Sequence, residues 1–249
     1  MNIIVCVKRV PDTETRIRVG GDGQSIDPSG VKYVVSPYDE FAVEAALRLR
    51  EANGAGEVTV VTLGDDASQD ALRNALAMGA DKALLLQGEV TQDGLATARA
   101  LAAEIGEQDA PLVLLGVKAA DDDQQQVGPM LATLLDRPCV TGVSNFELKD
   151  GVAVCRREVE GGHQEVEVDL PAVLTITKGE FEPRYASLKG IMAAKRKPLD
   201  KKEAAVAESR LRVTTMELPP EREGGRIVGE GPDAVPELVR LLREEANVL

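Results

Sequence analysis

The sequence has no tryptophan, three phenylalanines and three tyrosines in 249 residues, so the core must be aliphatic and each of the six rings is worth placing. It has one histidine and three cysteines, Cys6, Cys139 and Cys155, without Cys-x-x-Cys spacing. That set excludes a structural zinc site, a Ser-His-Asp triad and a disulfide framework; the cysteines read as buried thiols, and His163 as a solvated residue at a Gly161-Gly162 turn. No metal is expected. No apolar run approaches the roughly 18 residues that a membrane span requires, and a strand-like segment, Asn2 to Val7, follows Met1 at once. Neither a signal nor a transit peptide is expected, and the expected location is cytoplasmic. Cations are scarce: 29 Lys and Arg face 42 Asp and Glu, a net charge of -13, which excludes a nonspecific grip on nucleic acid as the main role. Neither a Gly-x-Gly-x-x-Gly fingerprint nor a Walker phosphate loop is present.

What is present is an alternation of short apolar runs with Ala/Leu-rich stretches. The runs Asn2 to Val7, Glu57 to Leu63, Lys82 to Leu86 and Leu112 to Gly116 suit parallel strands buried on both faces, and so a doubly wound α/β sheet. Ser36-Pro37-Tyr38-Asp39 predicts a helix start with Ser36 as N-cap, Pro37 at N1 and Asp39 at N3 in a capping box. Further helices are predicted from Ser68 to Met78, stopped by Gly79, from Asp93 to Ile105 and from Gln126 to Leu135. Asp150-Gly151 and Gly161-Gly162 then predict hairpins between Asn145 to Lys149, Val152 to Glu158 and Gln164 to Asp169, an antiparallel appendage. A strand at Ala172 to Thr177 follows. From Leu199 the chain reads as a charged, little-structured connection, an arm suited to lying on a second chain, up to an amphipathic helix at Asp233 to Ala246.

Two segments could carry function. After the strand at Leu112 to Gly116 comes Val117-Lys-Ala-Ala-Asp-Asp-Asp-Gln-Gln-Gln-Val-Gly128 and then a helix. Ligands bind beyond the carboxyl ends of such strands, and amides near Gln126 to Gly128 could meet a phosphate. The alternative is that Asp121 to Asp123 form a solvated capping loop. The second segment is Phe181 to Met192, where Ser187 caps a short helix with Leu188, Ile191 and Met192 on one face. Such a face usually packs on the core. Yet Lys178 to Glu203 holds eight Lys/Arg against four Asp/Glu, a local balance of +4 that leaves -17 elsewhere, which suits steered docking of a protein partner. A third segment, Lys8 to Thr13, follows the first strand and reads as a turn at Pro11-Asp12.

VCVKRVPDT, SPYDEFAVEAALRL, ALAMGAD, KAADDDQQQVG, EVEGG and EPRYASLKGIMAAK occur in the order and at about the spacing of the electron-transfer flavoprotein β subunit. The chain resembles that family from Met1 to about Lys197. The resemblance implies an adenine-nucleotide α hydrolase-like fold with residues 1–200 as the nucleotide-binding domain, a partner-recognition loop at 181–197, and residues 201–249 as an arm and helix packing on the α subunit. It implies a heterodimeric electron carrier without acid-base catalysis of its own. Electrons pass through FAD, held mainly by the α subunit, from dehydrogenases such as the acyl-CoA dehydrogenases of fatty acid oxidation to a membrane quinone oxidoreductase.

The resemblance further implies a structural AMP lined by Cys6, Ser36, Leu63, Ala119, Asp122, Gln125, Gln126 and Val127, with Thr13 and Tyr38 facing the flavin. Leu188 matches an apolar anchor for the partner dehydrogenase, accompanied by Glu182, Pro183, Arg184, Tyr185, Ile191 and Met192; Glu158 matches an acid that biases the swing of the flavin-bearing domain. Pro11-Asp12-Thr13 is closer to the electron-bifurcating branch, which binds a second FAD in place of AMP and reacts with NADH. That branch usually has glycine where this chain has Asp122, and a side chain there narrows the path of a dinucleotide, so AMP is expected. A rival of another class, a stand-alone ATP-binding universal-stress-type sensor, shares the layout but leaves the basic EPRYASLKGIM loop unexplained.

Overall fold

The apolar runs become central parallel strands in the computed structural model, which describes residues 1–89, 93–205, 208–221 and 224–249. In chain order the first half comprises β1 (Ile3–Cys6), β2 (Arg9–Pro11), β3 (Tyr33–Val35), α1 (Pro37–Asn53), β4 (Val58–Gly64), α2 (Gln69–Met78), β5 (Lys82–Gln87), α3 (Gly94–Ile105), β6 (Leu112–Gly116) and α4 (Val127–Leu134). The second half comprises β7 (Cys139–Lys149), β8 (Val152–Val159), β9 (Gly162–Asp169), β10 (Ala172–Ile176), α5 (Leu188–Ala194), β11 (Leu199–Glu203) and α6 (Val235–Glu244). One nine-stranded sheet runs β11-β5-β4-β1-β6-β10-β7-β8-β9, and β2 pairs with β3 in a separate antiparallel ribbon.

Side-chain alternation explains the continuous apolar runs. Ile3, Val5, Leu112 and Leu114 point into one layer with α1 and α2, whereas Ile4, Cys6, Val113 and Leu115 point into the other with α3 and α4. Both faces of each central strand are therefore covered, as a doubly wound sheet requires. The core is aliphatic as expected, with one ring pair, Phe146 and Phe181, at 5.4 Å between centroids. Phe181, the first residue of the segment Phe181 to Met192, is buried in this core.

The hairpins form where expected and continue the main sheet, because β7 pairs parallel to β10 on one side and antiparallel to β8 on the other. Asp150 and Gly151 both take positive φ, 51° and 86°, the twist a two-residue hairpin needs. The second turn is Glu160-Gly161 rather than Gly161-Gly162, since Val159 pairs with Gly162, and His163 lies exposed in β9 opposite Glu158. A larger difference is β11. The segment read as unstructured from Leu199 forms a parallel edge strand on β5, with Leu199 paired to Ala83 and Glu203 to Gln87. The compact unit accordingly extends from Met1 to Met216. The second unit, Glu217–Leu249, contains a 3-10 turn at Pro232–Ala234 and α6, which leaves Val235, Leu238 and Val239 exposed. Among the described residues no helix is long and apolar enough to cross a membrane.

The capping box does not form. Pro37 starts α1 and the N–H groups of Asp39 and Glu40 reach the Ser36 carbonyl, but the Ser36 side chain makes no cap and its hydroxyl is buried without a hydrogen-bond partner among the described residues. Asp39 turns away because two backbone donors, Lys8 just after β1 and Gly116 at the end of β6, claim its carboxylate. The start of α1 also lies against the end of β6: a Cβ on Gly116 would stand 2.7 Å from the Tyr38 carbonyl carbon and 2.8 Å from the Asp39 nitrogen. Gly116→Ala is expected to cost about 3 kcal/mol through overpacking against rigid backbone. A urea midpoint equal to that of the parent would refute this close approach.

Candidate functional site

The sheet order changes direction at β1: the chain builds outward through β4 and β5, then returns to place β6 on the other side. Crevices open beyond the carboxyl ends of strands at such a switch. A cavity of about 110 Å³ lies there, between the ends of β1, β4 and β6 and the first turns of α3 and α4. Cys6, Leu63 and Val127 give it apolar wall, and Ala119, Asp122, Gln125 and Gln126 come from the loop after β6. Seven of the eight residues expected around a nucleotide thus line one cavity; Ser36 does not, and its side chain is buried.

The loop from Lys118 to Gln126 is shaped by its acids rather than repelled by them. Lys8 reaches Asp121 Oδ1 at 2.8 Å and Asp122 Oδ2 at 2.7 Å, Lys118 pairs with Asp123 at 2.8 Å, and Asp122 Oδ1 accepts from the Gln124 N–H. Burial pulls the Lys8 ammonium down, but its bonds to Asp121 and Asp122 outweigh this and hold its pKa above the ordinary lysine value. Asp123 and Gln125 take positive φ, 53° and 55°, and Gln126 returns to helical backbone at the N-cap of α4. The Asp123 N–H is spent on the Ala119 carbonyl and that of Gln124 on Asp122, whereas the first N–H groups of α4, at Val127 and Gly128, precede the helix's own bonding. The end of the loop therefore offers backbone donors beside an apolar slot.

Residues missed in the sequence complete the site. Asp39 Oδ2 accepts from the Lys8 N–H at 2.7 Å and Oδ1 from the Gly116 N–H at 2.9 Å, so one carboxylate joins the ends of β1 and β6. Burial pushes its pKa up to about 7, against the pull of those two N–H groups. Gly94, Thr97 and Leu101 supply the α3 side. Burial, with the Asp39 charge, raises the Cys6 thiol above its ordinary value, so Cys6 acts as apolar wall.

The remaining expected residues lie elsewhere. Tyr38 is half-buried with the Lys118 ammonium 5.3 Å from its ring centre, and Thr13 is exposed. Glu158 stands on β8, three strands from β6, taking a hydrogen bond from the Ser144 hydroxyl at 3.3 Å. On the loop before α5, Ser187 caps the helix as expected, accepting from the Gly190 N–H. Tyr185, Leu188, Ile191 and Met192 are 99%, 85%, 44% and 62% exposed, which rules out core packing of that face. Glu182 is exposed and Pro183 half-buried, but Arg184 is engaged inward by Glu44 and Glu51. Among the described residues no group of acids, cysteines and histidine is placed to hold a metal ion.

Asp39 gives the site a pH signature. Its folded pKa lies above the ordinary 3.8, so between roughly pH 4 and 7 the folded state binds more protons than the unfolded, and this residue's contribution to stability falls as pH rises. Relative to Asp39→Asn, the parent is expected to lose about 1.4 kcal/mol per pH unit within that window. Urea titrations of both proteins at pH 5 and 6.5 read this difference; an increase with pH would overturn the assignment.

Comparisons with known proteins identify the family. The family described as "Electron transfer flavoprotein domain" matches residues 25–207. The chain is similar to "Electron transfer flavoprotein subunit beta" of Syntrophomonas wolfei, 42% identical over 94% of this chain and 92% of the relative, and to the protein of that name from Bacillus subtilis, 38% identical over the full length of both. A mitochondrial protein of the same name from Oryza sativa subsp. indica is 40% identical, again over both full lengths. With a matched domain over most of its length and relatives that share its whole extent, the chain belongs to the electron transfer flavoprotein β-subunit family.

Proposed function

We propose that this chain pairs with an α subunit to form an electron carrier that accepts electrons from dehydrogenases, acyl-CoA dehydrogenases among them, and delivers them to a membrane quinone oxidoreductase. The observation that carries this reading is the exposed apolar tip. Four large apolar side chains stand in solvent on a segment whose local charge opposes that of the rest of the chain. Charge steers encounter, and a buried leucine anchor then supplies affinity. The arm on the α subunit begins after the edge strand β11, which keeps residues 201–203 in the main sheet, and the exposed apolar residues of α6 suit such a contact.

In this reading the strand-end cavity holds an adenine mononucleotide, a role its apolar wall and loop amides support. Cys6, Leu63 and Val127 would flank the base, Asp122 would accept from ribose hydroxyls, and the amides from Gln126 to Gly128 would take the phosphate. FAD, when bound, supplies the redox chemistry; the protein's part is to position and tune it. Thr13 and Tyr38 face that group in this reading, and Glu158 biases the domain that bears it. None of these side chains transfers a proton in the proposed role.

The nucleotide released on denaturing the purified heterodimer tests the cavity. AMP is expected beside FAD; a second FAD would place the chain in the electron-bifurcating branch, and ATP would defeat the carrier reading. For the tip, Leu188→Ala is expected to slow electron transfer from an acyl-CoA dehydrogenase about tenfold with flavin content unchanged, since a fully buried leucine contributes roughly 1.5–3 kcal/mol. An unchanged rate removes the anchor assignment.

A further inference from the structure

We infer that Arg184 is a positioning residue for the docking tip, fixing through Glu44 and Glu51 of α1 the place where Leu188 is presented to the partner. The inference rests on the docking reading above. It starts from a difficulty: α5 has seven residues, of which only Ala194 is buried, and so short a helix has no stability of its own. Its order must come from its flanks.

On the amino-terminal flank, Glu44, Arg48 and Glu51 follow the i, i+4, i+7 spacing of one helical face. Arg48 donates from its Nε to Glu44 at 2.7 Å, and from its two terminal nitrogens to the carbonyls of Glu180 and Glu182 at 2.9 and 3.2 Å. Arg184 donates to Glu44 at 2.7 and 3.2 Å and to Glu51 at 2.6 and 3.0 Å, using the whole of its planar fork. The Glu44 side chain is only 3% exposed. Burial alone would raise its pKa, yet the bonds from Arg184 and Arg48 hold it below the ordinary glutamate value. A carboxylate so enclosed is strongly disfavoured without its partners, so the chain at residues 180–184 is pinned to α1.

The carboxyl-terminal flank is pinned to α2. Arg73 donates to the carbonyls of Ala194 and Lys197, and Lys197 returns two bonds to the carbonyls of Leu76 and Ala80. Gly190 lies so near the Ala77 carbonyl that a Cβ there would collide with it. Between the two clamps the tip is preset, and docking then orders little that was free before, which favours association. Arg184 is thus turned inward, and it acts on the partner through Leu188. An ammonium can touch two carboxylates, as that of Lys8 does, but it lacks the planar fork that gives Arg184 two bonds to each, so Arg184→Lys is the discriminating variant.

The test uses the FAD-loaded heterodimer as electron acceptor, with an acyl-CoA dehydrogenase reduced by its acyl-CoA as donor. Arg184→Ala is expected to raise the KM for the flavoprotein about tenfold and Glu51→Gln about threefold, with kcat within about twofold and Arg184→Lys intermediate. Hydrogen exchange at residues 187–194 is expected to accelerate in the same order, while FAD and nucleotide contents stay at parent values. Glu51→Gln keeps the test open if Arg184→Ala fails to fold, because Glu51 lies at the exposed end of the network. A parent-like KM in these variants overturns the inference, as does a raised KM with unchanged exchange, which would make Arg184 a direct partner contact. Leu188→Ala, run in parallel, separates the readings: a raised KM for it alone defeats only the clamp, and a parent-like KM for it defeats the docking reading and the clamp together.

Discussion

A carboxylate shielded from water joins the ends of two parallel strands, and the cavity is organised around it. Strands of a parallel sheet are satisfied along their length, but at a topological switch they diverge and their last N–H groups lose their ladder partners. Asp39 supplies one oxygen to Lys8 on the β1 side and the other to Gly116 at the end of β6. Because Asp39 also sits in the first turn of α1, helix, strand ends and the loop after β1 become one connected piece. Lys8, placed by its backbone bond, then extends its ammonium to Asp121 and Asp122 and sets the far wall. The Ser36 hydroxyl, without a partner among the described residues, is a local loss tolerated within that arrangement.

Much of the fold was legible because buried parallel strands leave a dense signal: four continuous apolar runs, each with both faces covered. The Asp150-Gly151 turn was legible for a conformational reason, since both residues tolerate positive φ. The next turn slipped by one because two adjacent glycines offer two registers, and only the Val159 to Gly162 pairing decides between them. Of the site, the residues that local sequence places at strand ends and in the acidic loop came together, and those defined by distant partners did not. Asp39 has the spacing of a helix cap, and nothing near it announces Gly116, 77 positions away. Arg184 looked like one more cation of a basic loop, although its partners lie 140 and 133 residues earlier.

The cations and carboxylates of this chain therefore divide into two kinds of work. Lys8, Arg73, Arg184 and Lys197 are turned toward protein groups, where they cap helices or tie loops to helices. Others on the recognition segment, Lys189, Lys195 and Arg196, remain exposed. A net charge counted from sequence merges the two kinds, and only the second is available to steer an approaching partner.

The edge strand β11 has a consequence for the chain's behaviour before any partner arrives. Without it, β5 would end the sheet as an open template of backbone donors and acceptors on an apolar run, the usual starting point for pairing with another copy. Leu199-Asp-Lys-Lys-Glu203 occupies that template and presents charges of both signs to solvent, with only Leu199 of the strand leaning on the core. Its dearth of apolar residues, which hid the strand from a sequence reading, is what makes it a good border: the subunit caps its own sheet with a sequence ill-suited to aggregation.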